Sequence, residues 1–298
     1  MATLQEWQRH PLFGEVVPEG EDEILGHYTS AASAAAIALT GLLLPSPLSA
    51  LNDPSESQQQ GAVTIGATFR SVEGIIWDDP APSVQDADAA NAALRDGVRV
   101  QCFTLDRGQG LAWGAAQNDL RTFARQRMWA QYGAGHEGIC LLLNRSRLEA
   151  QVKHAFGDQG RCGEVAYIEG FDNSHGTRTG SFHRNTEINF LDSTLFRKNA
   201  DWRAEAEFRV RVHSWDEGVC KLPLDNCVVG MVLGMRFPQH LLPIAESIAT
   251  RFDIVNSSAK AMMSDGRVID TNPAHKDGVW RSWTDAEIRE IGTVYDLR

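Results

Sequence analysis

The chain has 298 residues, 43% of them hydrophobic and 22% charged, with a formal net charge of −11. That length supports one large domain or two small ones, and that composition excludes a disordered chain. The acidic balance argues against a general nucleic-acid coat protein, although the arginines at 121, 125, 127, 145 and 147 make one locally basic window. In chain order, residues 1–22 read as an arm. Residues 24–29 read as a strand. Ser30 or Ser33 suits the cap of a helix after it, and Gly41 suits the left-handed exit. A leucine run at 42–44 stops at Pro45 and Pro47, and residues 61–77 mix β-branched residues with glycines. Residues 78–90 are an acidic surface loop.

Further along, 98–105 alternates as a strand does, and 118–132 has helical spacing with Leu120, Phe123, Ala124 and Met128 on one face. Residues 138–143 are apolar throughout, as in a buried strand. A helix is expected over 146–156 and a strand over 164–168. Residues 170–186 form a polar loop longer than packing requires. WRAEAEFRVRVH, at 202–213, is the clearest alternating strand in the chain. Phe208, Val210 and Val212 share one parity, and Glu205, Glu207, Arg209, Arg211 and His213 share the other. A buried strand over 227–233, a helix over 241–251 and a capping-box start at Thr284 complete the reading. The economical parse is an arm over 1–22, one α+β domain over 23–255, and an extension over 256–298 that ends in a helix.

The five cysteines are odd in number and form no CxxC pair, so disulfides and a zinc site are both disfavoured and no metal is expected. No apolar run reaches the roughly 18 residues of a membrane span. The first residues lack a basic segment followed by an apolar one, so the expectation is a cytoplasmic protein with no membrane partner. P-loop, HExxH and GxSxG motifs are absent from the sequence, and no GxGxxG follows a strand.

What remains is a set of ordered blocks: His27-Tyr28-Thr29-Ser30, the LNDPSE stretch with Asn52, Asp53, Pro54 and Glu56, Cys102-Phe103-Thr104, MWAQYG at 128–133 followed by GIC at 138–140, and WRAEAEFR at 202–209. Together they resemble a prokaryotic family named only as domain of unknown function 2971. A second resemblance is to ADP-ribosyltransferase folds. It rests on the strand–helix–strand unit that opens with His-x-Thr and on Ala206-Glu207-Phe208 late in the domain. It implies a split, mainly antiparallel β core flanked by helices, with NAD as substrate and no metal. It also implies association with toxin–antitoxin or phage-defence systems, with an antitoxin or defence partner and a protein or nucleic-acid acceptor.

Cleavage of the nicotinamide–ribose bond passes through an oxocarbenium-like state that a carboxylate stabilises. On this reading Glu207 and His27 are the catalytic candidates, and His27, Tyr28, Thr29, Tyr132 and Arg127 contact the cofactor. Asn52, Asp53, Glu56, Glu205 and Arg209 line the rim, with Arg209 orienting Glu207. Each residue also has a plainer role. Tyr28 suits the core, Thr29 a helix cap, Asn52-Asp53-Pro54 a turn, and Arg127 a solvated helix face. Glu205, Glu207, Arg209 and Arg211 suit a solvent-facing charge ladder. Two other functions fit the blocks: a non-catalytic module that binds a nucleotide or signal, and an enzyme that meets nucleic acid through its local arginines.

Overall fold

The computed structural model describes residues 23–51, 97–107, 121–169, 195–213, 220–254, 260–262 and 268–270. The arm, the stretches at 61–77, 78–90 and 170–186, and the capping box at Thr284 lie outside the described residues. The protein is α+β, with a mainly antiparallel sheet flanked by helices. Its residues fall into two compact units: Met1–Leu43 with Phe103–His154 and Leu222–Arg298, and Leu44–Cys102 with Ala155–Lys221.

The first unit is organised by strand β1 (Ile24–Thr29). Strands β2 (Leu42–Leu43), β3 (Ser46–Pro47), β4 (Val98–Leu105) and β5 (Ile139–Asn144) follow it in the chain. β1 pairs antiparallel with β5 from Ile24↔Asn144 to Thr29↔Ile139, and on its other side Leu25 and Gly26 face Leu105 and Thr104 of β4. Every residue of β5 is buried, which is why its sequence is a continuous apolar run rather than an alternation. Helix α1 (Ala31–Thr40) starts at Ser30, whose side chain accepts from the Ser33 N–H at 3.2 Å, and ends at Gly41 with φ 71°.

The predicted helix over 118–132 is seen as a 3-10 turn (Thr122–Ala124) and a short α2 (Gln126–Gln131). Trp129 is fully buried and donates to the Phe123 carbonyl at 2.8 Å. Around it pack Ile24, Tyr28, Phe123, Met128, Cys140, Leu142, Val229 and Val232, each buried apolar side chain contributing about 1.5–3 kcal/mol. Gly26 is required there, because a Cβ on it would lie 2.1 Å from the Thr122 hydroxyl. Helix α3 (Arg145–Phe156) is capped by Asn144, which accepts from the Arg147 N–H.

The second unit contains β6 (Gly160–Glu164), β7 (Ala166–Ile168), β8 (Arg197–Asn199) and β9 (Glu207–His213). β3 pairs with β4, β6 runs antiparallel to β9, and β7 and β8 form a short parallel ladder. Its apolar cluster is small: Leu48, Val98, Val100 and Leu195, with Leu51, Cys102 and Phe196 against them.

Back in the first unit, β10 (Leu222–Pro223) pairs with β2, and β11 (Val228–Leu233) with β5. Helix α4 (Leu242–Arg251) packs on α1, where the Arg251 guanidinium donates to the Thr40 carbonyl at 3.2 Å. Strands β12 (Lys260–Met262) and β13 (Val268–Asp270) add to β11. Among the described residues no helix is long and apolar enough to cross a membrane.

The stretch 202–213 differs from its predicted form. Ala200–Glu205 is a 3-10 turn, capped by Asn199, which accepts from the Asp201 N–H at 2.9 Å. Ala206 has φ 44°, and the strand begins only at Glu207. All seven residues of β9 are buried, so the polar parity does not face solvent. The alternation marks two faces, but the charged one is buried too, with Glu207 and Arg209 held by neutralising partners.

Candidate functional site

Those partners come from neighbouring segments of the second unit. Glu205 ends the 3-10 turn, Glu207 and Arg209 start β9, and Lys198 is the central residue of β8. Each of the four is at most 7% exposed. The Arg209 fork grips Glu207 at both oxygens, Nε to Oε1 at 2.7 Å and Nη2 to Oε2 at 2.8 Å, and its Nη1 donates to the Leu195 carbonyl at 2.6 Å. Such a bidentate pair fixes orientation as well as charge. The Lys198 ammonium is shared unequally, 2.8 Å from Glu205 and 3.4 Å from Glu207, and sits 4.6 Å from the centre of the Trp202 ring. These four side chains sum to zero charge, so each carboxylate is buried with a partner rather than alone.

Two further groups complete the surroundings of Glu207. Its backbone N–H donates to the Tyr167 hydroxyl at 2.8 Å, and its carboxylate accepts a hydrogen bond from Cys102. Burial alone would push the Glu207 carboxyl up. The Arg209 charge and hydrogen bonds, with Lys198 and Cys102, outweigh it and hold the group below its ordinary value. Glu207 is therefore ionised at neutral pH. Burial pushes the Tyr167 phenol up to about 12, so it is a neutral hydroxyl.

The other predicted residues of the described chain belong to the first unit. His27 is half-buried with its ring 5.6 Å from Phe103. Tyr28 stands inside the core, edge-on to Trp129 at 4.9 Å, and its hydroxyl donates to the Thr122 carbonyl. Burial pushes its phenol well above the ordinary value. Thr29 is buried at the strand end, and the helix cap is the next residue, Ser30. Tyr132 packs half-buried against the Trp129 cluster. Arg127 is exposed and donates to Gln131 one turn on, at 3.1 Å. Asn52, Asp53 and Glu56 lie outside the described residues.

The arginine window is largely engaged within the first unit. Arg121 pairs with Asp106 at 3.0 Å, Arg125 is buried and donates to the Leu105 carbonyl, and Arg145 pairs with Glu23 and Glu149. Arg147 donates to the Asn226 carbonyl. Among the described residues, no group of three or more His, Cys, Asp or Glu side chains gathers as a metal site would require.

The segment from MWAQYG to the start of β9 thus holds both Trp129 and the buried ion cluster, and it is similar to a known family. Residues 128–210 match the DUF2971 family model. The matching family model is described as a protein of unknown function. The DUF2971 match opens on Met128 and closes on Val210, so it contains Tyr167, Lys198, Glu205, Glu207 and Arg209 and leaves out β1 and Cys102. No curated protein and no solved structure matches the chain. Of the ion cluster, sequence reasoning found Glu205, Glu207 and Arg209 and missed Lys198, Tyr167 and Cys102 as its neighbours. The signal available for Lys198 was indirect: a strand face with carboxylates that needed a cation.

Proposed function

We propose that this protein is an ADP-ribosyltransferase-like enzyme that cleaves the nicotinamide–ribose bond of NAD, with Glu207 as its key carboxylate. The observation that carries the reading is a buried glutamate kept ionised and fixed in orientation on a rigid strand by the Arg209 fork. In the reaction the C–N bond breaks, nicotinamide leaves with the bonding pair, and the ribose carbon takes an electron pair from water or an acceptor hydroxyl, whose proton is released. A fixed carboxylate stabilises the positive charge that develops on the sugar between these events. A ribose hydroxyl reaches Glu207 by replacing the longest of its contacts, that of Lys198 at 3.4 Å, since the ammonium keeps Glu205 at 2.8 Å and the Trp202 ring. Incubation with NAD, followed by chromatography of the products, tests this. Free nicotinamide is expected, and the absence of nicotinamide release with every acceptor offered would sink the proposal.

A second reading, a binding module without turnover, is favoured by one specific observation. A carboxylate has about four acceptor positions, and Glu207 already receives Arg209 Nε, Arg209 Nη2, Lys198 Nζ and Cys102. On that reading the cluster shapes a site for a nucleotide and does no chemistry. A ligand-dependent rise in melting temperature with NAD left intact would favour it over cleavage.

A further inference from the structure

Tyr167 belongs to none of the blocks that drew attention to Glu207. It lies on β7, forty residues before Glu207, and is half-buried where the ion cluster is fully buried. Its hydroxyl oxygen accepts the Glu207 N–H at 2.8 Å. Among the described residues the proton of that hydroxyl has no acceptor. A phenol oxygen both accepts and donates, so accepting from the backbone fixes the oxygen and leaves the proton to be directed elsewhere. The parallel pairing of β7 with β8 sets Tyr167 opposite Lys198 on the neighbouring strand. A neutral, oriented donor on a half-buried side chain thus sits beside the ionised carboxylate, with its oxygen fixed by the residue that bears it.

We infer that the Tyr167 hydroxyl is a substrate-contacting donor of this site, and that it binds one hydroxyl oxygen of the nicotinamide-bearing ribose. This rests on the proposed cleavage of NAD. Glu207 and Tyr167 make complementary demands on a sugar: the carboxylate accepts from a hydroxyl proton, and the phenol donates to a hydroxyl oxygen. A ligand with two neighbouring hydroxyls meets both demands, and one lacking either meets only one. Tyr167 is therefore a specificity-determining residue for a vicinal diol.

The test crosses the protein with the substrate. Wild-type protein and Tyr167→Phe are each given NAD and two analogues that lack the 2′- or the 3′-hydroxyl on the nicotinamide ribose, and kcat/KM for nicotinamide release is measured. Tyr167→Phe is expected to lose about tenfold on NAD, the effect of one hydrogen bond with an uncharged partner. It should lose almost nothing further on the analogue that lacks the hydroxyl it contacts, because the two deletions remove the same interaction. Wild-type protein should itself lose about tenfold on that analogue, an outcome that does not require the variant to fold. Equal loss on NAD and on both analogues would show that Tyr167 acts only by holding the Glu207 backbone, and would overturn the inference while leaving NAD cleavage in place. Wild-type discrimination between NAD and neither analogue would overturn it too. Wild-type protein that neither releases nicotinamide nor binds NAD would remove the cleavage reading and this inference together.

Discussion

The two units treat polar residues in opposite ways. In the first, polar groups at the centre are fastened to the backbone of an apolar core: the Tyr28 hydroxyl donates to the Thr122 carbonyl, Trp129 to Phe123, and Arg125 to Leu105. In the second, the apolar cluster is small, and β9 buries Glu207 and Arg209 among charged partners, with Arg211 and His213 buried further along the strand. An apolar core of the first kind needs only shape and volume, whereas a charged one is held only while every partner is present. The first arrangement is a scaffold. The second preserves a defined electrostatic geometry at the expense of tolerance, which is the design expected of a site.

The contrast predicts how each unit breaks. Removing the centre of the apolar core should have the largest effect: Trp129→Ala leaves a large cavity and is expected to destabilise by about 3–5 kcal/mol, read as a lowered urea midpoint. A next-larger effect is expected from Arg209→Met, which strands a buried carboxylate and should lower stability by about 3 kcal/mol. Adding Glu207→Leu to that variant should restore much of the loss, because the uncompensated charge is gone. Simple addition of the two losses would show that the pair is not the coupled unit described. No second-site change of this kind is expected to rescue Trp129→Ala.

The smallest effect is a pH dependence confined to the charged unit. The Glu207 carboxyl is held below its ordinary value, so the folded state binds its proton more weakly than the unfolded chain does. Its stabilisation is fully present above the unfolded value of about 4.3 and is lost as pH falls through the lower folded value. Unfolding midpoints measured between neutral and acid pH should show this decline in wild-type protein. The same decline should be smaller in the doubly substituted Arg209→Met, Glu207→Leu protein; equal declines would assign the acid sensitivity to other carboxylates.

Much of the first unit was legible because its signals are local. Ser30 and Gly41 bracket α1 as capping rules require, and the unbroken run from Ile139 to Leu143 announces a strand covered on both faces. The role of Tyr28 was legible too, since strand parity sets it opposite His27. What was not legible depends on contacts far apart in sequence or on small backbone choices. The left-handed turn at Ala206 shortens the strand that WRAEAEFRVRVH advertised. Period-two alternation distinguishes two faces without saying whether the charged one meets water or other charges. Lys198 and Tyr167 decide that question for Glu207, and neither lies in a recognisable pattern.

The central claim is that the buried Glu207 cluster is a reaction centre for NAD. Nicotinamide release by wild-type protein and by Glu207→Gln, measured side by side at neutral pH on samples whose melting temperatures confirm that both are folded, tests it most directly. The account predicts release by the wild-type protein and a loss of at least about 100-fold in the variant, the scale on which removal of one preorganised electrostatic group acts. Release that continues unchanged in Glu207→Gln would contradict it.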